Sequence, residues 1–164
     1  MDPIVLMQQD VTRIEKAIAL FETSRQQAID IMVDPTTGDS WHDESFARSD
    51  IMQNVFGQQV EEMKAILRVA RIITPREQSE TVELGSGVKL EYVGEDRVAE
   101  YVLVGYALET AESRFEMMSA RSPLGKCIMG AKVGATRELR VGETTRTVRV
   151  VAIYPPSQVY QFLG

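Results

Sequence analysis

The sequence predicts an α+β fold in which an antiparallel coiled-coil hairpin is followed by an antiparallel β domain with one short helix. Over residues 11–32 and again over residues 52–73, apolar side chains recur at steps of three and four, the spacing of a helical seam. Beyond a polar stretch that contains Pro75, the apolar period falls to two, as in half-buried strands. We therefore expect a hairpin over residues 1–75 and a β domain over residues 76–164.

Composition narrows the class of protein. The chain has 164 residues, of which 44% are hydrophobic and 26% charged, enough for one large globular domain or two small ones. Its net charge of -6 argues against a simple nucleic-acid coat. Cys127 is the only cysteine, which excludes an internal disulfide and fits a reducing compartment. Because no apolar run reaches 18 residues, we expect a cytoplasmic protein with no membrane association.

The first helix is expected to follow an irregular lead-in over residues 1–9. Asp10 or Thr12 can cap its start, because their side-chain oxygens accept from free backbone N–H groups. Pro35 and Gly38 should end it, since proline cannot continue a helix. The predicted seam consists of Val11, Ile14, Ile18, Phe21, Ala28 and Met32, interrupted by Arg25.

The second helix should begin between residues 41 and 46 and close before Pro75. Asp39 or Ser40 is a suitable N-cap. Its predicted seam consists of Met52, Phe56, Met63, Ile66, Ala70 and Ile73, interrupted by Gln59. Two helices that share a single seam form a projecting hairpin rather than a bundle.

The turn between the helices, residues 34–46, is acidic. No Lys or Arg occurs between Gln26 and Ala47, whereas five acids do: Asp30, Asp34, Asp39, Asp43 and Glu44. One interpretation is a solvated loop in which Asp43 and Glu44 favour the positive end of the helix dipole. The other is a stalk that presents negative charge at its tip.

The β domain is predicted from alternation and turn signals. Strands are expected over residues 88–92, 98–104, 115–118, 135–141 and 145–154, with hairpin turns at 94–96 and 142–144. The last strand should point Val148, Val150 and Ala152 inward. A short helix is expected over residues 122–130, because serine caps, proline takes the first position and Gly130 terminates. Residues 157–164 are expected either to form a loose tail or to dock through Val159, Tyr160 and Phe162 on the domain or on a partner.

Three segments carry a family resemblance. At the tip, Gly38-Asp39 followed by Phe46 is similar to the pattern Gly-Asp-Leu-x-Glu-Asn-x-x-Tyr. Residues 84–90 resemble the first strand of a known second domain. Residues 122–134 are similar to Ser-Pro-x-x-x-x-Leu-x-Gly-Lys-x-x-Gly, the most specific of the three. In the type and order of its segments, the chain from about residue 8 to residue 156 resembles the bacterial Gre transcription elongation factors.

The resemblance implies a polymerase-binding factor that is not itself an enzyme. The second domain would have an FKBP-like fold and dock on RNA polymerase at the rim of the secondary channel. The implied docking residues are Ser122, Pro123, Leu124, Gly125 and Lys126. The coiled coil would pass down the channel, where two tip acids help hold a catalytic Mg²⁺ and its water, so that the polymerase cleaves its backtracked transcript. We expect a monomer with no cofactor of its own, and the resemblance also allows contact with nascent RNA.

The tip departs from the family pattern. Asp39 falls on the first tip acid and is the candidate ligand for a shared Mg²⁺, but His42 falls on the second. Imidazole is a poor Mg²⁺ ligand and supplies no negative charge. Asp43 and Glu44 are nearby, but a displacement of one residue rotates a helical side chain by about 100°. Trp41 either contacts a partner or staples the turn.

This departure favours a factor that modulates or inhibits transcription over one that stimulates cleavage. A competent cleavage factor that rescues backtracked polymerase is the alternative. A passive coiled-coil interaction module is a further class. The main rival class is a peptidyl-prolyl isomerase, because some FKBP-like domains are isomerases. Several aromatic residues of the second domain fall on strand positions that should pack the core, which argues against an isomerase pocket.

Basic residues are concentrated in the second domain. Seven of them lie within 29 residues that contain only Glu138 and Glu143 as acids: Arg121, Lys126, Lys132, Arg137, Arg140, Arg146 and Arg149. Three interpretations are open: docking on an acidic protein surface, contact with nucleic acid, or the solvated face of strands.

Overall fold

The computed structural model describes residues 3–33, 44–108 and 113–160 of the chain. It confirms the α+β class, with helices first and a sheet domain after them. The chain divides into two compact units: Met1–Ile4 with Val11–Ala70, and Val5–Asp10 with Arg71–Gly164. The second unit therefore includes an N-terminal segment that the sequence-based division at residue 75 does not anticipate.

The first unit is built on a pair of helices, α1 (Gln8–Val33) and α2 (Glu44–Val69). The rings of Phe21 and Phe56 stack with their centroids 5.6 Å apart, and Lys64 Nζ lies 3.0 Å from Glu22 Oε1. The predicted helical hairpin is thus confirmed. Its buried apolar residues are Val11, Ile14, Val60, Met63 and Ile66. The side chains of Ala28, Met32 and Met52, also predicted in the seam, lie outside the described residues.

The predicted end of the second helix was wrong. Helix α2 ends at Val69, and the next residues form strand β2 (Arg71–Ile73). The predicted irregular lead-in was also wrong, because β1 (Val5–Met7) pairs with β2 in a parallel, two-stranded sheet. Three-residue strands are too short to show a period of two, so the apolar spacing of β2 was read as one more helical turn.

Asp10 has a different role from the predicted cap. Its carboxylate is fully buried within the second unit, two residues after the start of α1. Oδ2 accepts hydrogen bonds from the backbone N–H of Met7 at 2.8 Å and of Gly105 at 3.0 Å. The side chain therefore ties the β1 segment to the residue that follows strand β4 (Arg97–Val104).

The main sheet of the second unit has five strands. With β4 they are β3 (Gly87–Tyr92), β5 (Glu116–Ser119), β6 (Thr136–Val141) and β7 (Thr144–Tyr154), in the spatial order β5-β4-β3-β7-β6. The prediction of an antiparallel sheet needs one correction, because β4 and β5 are parallel. A parallel neighbour needs a crossover instead of a tight turn.

The sheet is covered on both faces. On one face, helix α3 (Pro123–Ile128) packs over a core that includes Val88, Leu90, Leu103, Val148 and Val150. On the other face, Met7, Val102, Val104, Phe115 and Val159 form a second core. A register shift between Lys89 and Leu90 places Ile153, not the predicted Ala152, opposite Val88 and against the first core.

The loose tail was wrong for residues 157–160, which belong to helix α4 (Pro156–Tyr160), and the alternative that Val159 and Tyr160 dock on the domain is confirmed. Val159 is fully buried, and the Tyr160 hydroxyl donates to Met7 Sδ at 3.0 Å. A Cβ at Gly87 would lie 2.5 Å from Val159 Cγ2, so the glycine makes room for the helix. Residues 161–164 lie outside the described residues. No helix within the described ranges is both long and apolar enough to cross a bilayer.

Candidate functional site

The predicted tip site falls mostly on residues that the structure does not describe. Asp39, Trp41, His42 and Asp43 lie outside the described residues, and Glu44 is the first residue of α2. Within the described part of the chain, no group of three or more His, Cys, Asp or Glu side chains could hold a metal ion. The candidate site that the structure describes is therefore α3 and its surroundings.

Helix α3 has the predicted cap. Ser122 adopts an extended backbone conformation, with φ -67° and ψ 159°, and its Oγ accepts from the Gly125 N–H at 3.0 Å. The same hydroxyl donates to the Ser119 carbonyl at 2.7 Å, which ties the cap to the end of β5. Pro123 occupies the first turn, where its missing N–H removes no helical bond.

Close packing explains the glycine of this motif. A Cβ at Gly125 would lie 2.2 Å from the Ser119 carbonyl oxygen and 3.0 Å from backbone atoms of Ala120. The structure brings the five predicted docking residues together on one helix, but they differ in exposure. Ser122 and Gly125 shape the helix, Leu124 packs against the core, and Pro123 and Lys126 are exposed.

The far end of α3 is fixed by neighbouring strands and turns. Gly130 has φ +79°, which favours glycine, and its N–H donates to the Val82 carbonyl at 2.8 Å. The Cys127 thiol donates to the Glu138 carbonyl of β6 at 3.4 Å. Burial raises the pKa of this thiol, and the positive charge of Arg137 acts in the opposite direction. The helix and β6 therefore form one continuous surface.

The seven basic residues separate into two groups. Arg146 Nε lies 3.8 Å from Glu95 Oε1, and Arg149 forms an ion pair with Glu91. These two arginines match the interpretation of a solvated strand face. The other five are exposed and have no ion pair among the described residues: Arg121, Lys126, Lys132, Arg137 and Arg140.

Two apolar residues of this surface were missed from the sequence. Met129 caps the C-terminus of α3 and is 37% exposed. Val133 is 58% exposed. The exposure of Met129 could have been predicted, because Met129 lies between Ile128, which points inward, and Gly130, which ends the helix.

The aromatic residues of the second unit mainly pack its cores. Tyr92 and Tyr101 are buried, with their hydroxyl oxygens 2.9 Å apart, and burial together with this bond raises the pKa of Tyr101. Phe115 and Tyr154 make an edge-on contact in the second core. A cavity of about 460 Å³ beside Pro155 and Pro156 has Tyr154 as its one aromatic lining residue. This arrangement gives no support to an aromatic-lined isomerase pocket.

Comparison with known proteins identifies the family. The family model described as "Transcription elongation factor, GreA/GreB, C-term" matches residues 77–155, a range that contains α3 and the five-stranded sheet. Transcription elongation factor GreA of Acholeplasma laidlawii (strain PG-8A) is 30% identical over 126 residues, which cover 77% of this chain and 72% of that protein. This chain belongs to the GreA/GreB family of transcription elongation factors.

More distant similarities to this Gre-family chain extend over nearly all of it. GreA of Alkaliphilus oremlandii (strain OhILAs) is 24% identical over 154 residues, covering 92% of this chain and 95% of that protein. Among solved structures, GreA factor homolog 1 (Gfh1) of Thermus thermophilus is 23% identical with a TM-score of 0.42, and covers 93% of this chain and 99% of its own. Gfh1 of Thermus aquaticus is 22% identical with a TM-score of 0.43, at 94% and 99% coverage. Factors of the GreA/GreB family act on RNA polymerase and are not enzymes themselves.

Proposed function

We propose that this Gre-family chain docks at the rim of the secondary channel of RNA polymerase and directs its hairpin tip toward the active centre. There it modulates or inhibits transcription and does not stimulate transcript cleavage. The observation that carries this proposal is His42, which occupies the position of the second tip acid in the family pattern.

The chemistry of the tip supports this proposal. Hydrolysis of a phosphodiester assisted by Mg²⁺ needs oxygen ligands for the ion and an oriented water. Asp39 can supply one carboxylate to an ion shared with the polymerase, so this residue fits such a role. His42 does not fit, because a neutral imidazole brings neither an oxygen ligand nor negative charge. A tip with one suitable carboxylate can occupy the channel without completing the metal site.

The α3 surface supports the docking part. Its cap and Gly125 hold the helix in a fixed position, while Pro123 and Lys126 remain exposed. Because docking would use α3, the hairpin tip would remain available for its own interactions, among them contact with nascent RNA. We place this function in the cytoplasm, on a monomeric factor.

A transcript-cleavage assay tests the proposal. Stalled, backtracked complexes with Mg²⁺ receive the wild-type protein, and the length of the 3′ RNA is followed over time. We expect no faster shortening of the RNA and slower nucleotide addition. His42→Glu restores the second acid and should gain cleavage, whereas the double variant Asp39→Asn/His42→Glu should not.

A competent cleavage factor is the second candidate, and Asp43 and Glu44 favour it because they keep the tip strongly acidic. In that case the wild-type protein itself would shorten the RNA, and Asp43→Asn or Glu44→Gln would abolish the effect. Such a result would refute the inhibitory proposal.

A further inference from the structure

We propose that a surface formed by α3, β6 and the turns beside them binds an acidic protein surface with an apolar centre. This α3–β6 surface comprises Arg121, Lys126, Met129, Lys132, Val133, Arg137 and Arg140. The inference rests on the proposed function: the partner surface would belong to RNA polymerase. It adds the chemistry of that partner and extends the contact beyond the Ser-Pro motif to β6.

The charge of this surface is its first supporting feature. Residues 121–141 contain five cations and a single acid, Glu138, so the segment carries a net charge of +4 in a chain whose net charge is -6. Two arginines of the neighbouring strand β7 provide a comparison, because Arg146 and Arg149 form ion pairs with glutamates of the β3–β4 region. Among the described residues, the five cations of the α3–β6 surface have no such pairs.

Their spatial arrangement is the second feature. Arg121 precedes α3, Lys126 lies on it and Lys132 follows it, while Arg137 and Arg140 lie on β6. The bond between the Cys127 thiol and the Glu138 carbonyl joins the helix to that strand. Strand β6 is an edge of the five-stranded sheet, and Leu139 is its only buried residue. Because side chains alternate along a strand, Arg137 lies on the same face of β6 as the buried Leu139, and Arg140 lies on the opposite face. The cations of β6 therefore flank the exposed edge of the sheet on both sides, next to those of α3 and its turns.

The exposed apolar residues of the α3–β6 surface favour a protein partner over a nucleic acid. Met129 and Val133 are exposed and belong to the same segment of the chain as the cations, and burial of such side chains is a gain that a protein surface can provide. Proteins that bind single-stranded nucleic acids typically stack bases on aromatic side chains. Residues 121–141 contain no aromatic residue and no histidine.

Arginines on an edge strand can also serve only to prevent sheet-to-sheet aggregation. Substitution by glutamate separates the two roles, because a glutamate keeps the edge charged while it reverses the sign. The double variant Arg137→Glu/Arg140→Glu should therefore remain folded and soluble. The matched control is Arg146→Glu/Arg149→Glu, which changes the net charge by the same amount on the adjacent strand.

The experiment measures binding of the full chain to core RNA polymerase at several salt concentrations, after denaturant unfolding has shown that each variant is folded. We expect Arg137→Glu/Arg140→Glu to weaken binding by at least about tenfold and to flatten its salt dependence, and the control to bind much more tightly than this variant. Val133→Ser should weaken binding with the salt dependence unchanged, because it removes apolar contact only.

Each contrary outcome identifies which proposal fails. If the wild-type chain does not bind polymerase, the proposed function fails and this inference with it. If the wild type binds and the β6 variant binds equally well, only the inference is wrong. Equal weakening of both double variants would indicate an effect of net charge and would also overturn it. Loss of binding to a single-stranded RNA or a DNA duplex, with polymerase binding intact, would identify nucleic acid as the partner instead.

Discussion

Cys127 illustrates how a single side chain reports on the packing of α3. Its thiol is half-buried and donates to the Glu138 carbonyl, so that it joins the helix to the edge strand of the sheet. Burial disfavours the charged thiolate and raises the pKa of this thiol, although Arg137 opposes the effect. A thiol of this kind is structural rather than reactive, since the thiolate is the nucleophile.

We therefore predict slow reaction of Cys127 with a disulfide reagent near pH 8, compared with the same protein in denaturant. Because the folded-state pKa is raised, the folded state binds the thiol proton more strongly than the unfolded chain does. The resulting stability is fully present below the unfolded pKa and is lost as the pH rises through the folded pKa. Unfolding curves at a series of pH values should show this decline for the wild type and a smaller one for Cys127→Ser. Equal rates of modification in folded and unfolded protein would contradict the prediction.

At the scale of elements, α3 was predictable and β1, β2 and α4 were not. The Ser-Pro start and the Gly130 end of α3 are local signals, because each acts on backbone groups within a few residues. Strand β1 exists because Val5 pairs with Arg71, far along the chain. Helix α4 begins at the second of two prolines that suggested only an end to the strand, and it is held by the burial of Val159 and by contacts with Met7 and Glu77.

The candidate site shows the same limit. The cap of α3 and its exposed Lys126 followed from the sequence. The division of the basic residues into paired and unpaired groups did not, because the partner of Arg149 is Glu91, 58 residues away on another strand. The shift in register between β3 and β7 was likewise not predictable: one extra residue reverses which side chains point inward, but residues 150–154 are all apolar and do not show where the reversal occurs.

Two glycines in helices make a matched pair for testing these packing arguments. Gly125→Ala places a methyl group 2.2 Å from a backbone oxygen, so we expect destabilisation by about 1–3 kcal/mol. Gly57→Ala in α2 places its methyl group 3.6 Å from Arg25 Nε, an ordinary contact. It should stabilise the helix by about 0.5–1 kcal/mol, because alanine loses less backbone entropy than glycine. Denaturant unfolding of both variants measures the two changes in the free energy of unfolding, which should have opposite signs. A loss of stability in Gly57→Ala would show that α2 needs this glycine for another reason.

At the scale of the whole molecule, the second unit is completed by residues from the start of the chain. Leu6 and Met7 are fully buried in it, and Asp10 accepts from two backbone N–H groups, one of them on Gly105. Gly105 fits closely, because a Cβ there would lie 2.3 Å from the Val5 carbonyl oxygen. A fragment that begins at residue 76 would lack all of these contacts.

We predict that Asp10→Ala destabilises the second unit by about 2–4 kcal/mol, because two buried N–H groups lose their acceptor. Asp10→Asn keeps a side-chain oxygen and should cost less. Hydrogen exchange at the Met7 and Gly105 amides measures the effect locally, and Glu80→Ala, an exposed acid of the same unit, is the control. If the two amides exchange as slowly in Asp10→Ala as in the wild type, the carboxylate does not hold this segment.

The position of strand β1 also has a consequence for how the protein is made. During translation, Met7 and Asp10 leave the ribosome long before the residues they contact: the bond from Asp10 to Gly105 spans 95 residues, and that from Met7 to Tyr160 spans 153. Helices α1 and α2 need only nearby partners and can fold on the emerging chain. The first strand can pair with β2 once residue 73 has emerged, but the contact of Met7 with Tyr160 forms only after almost the whole chain has been synthesised, so the sheet domain closes last.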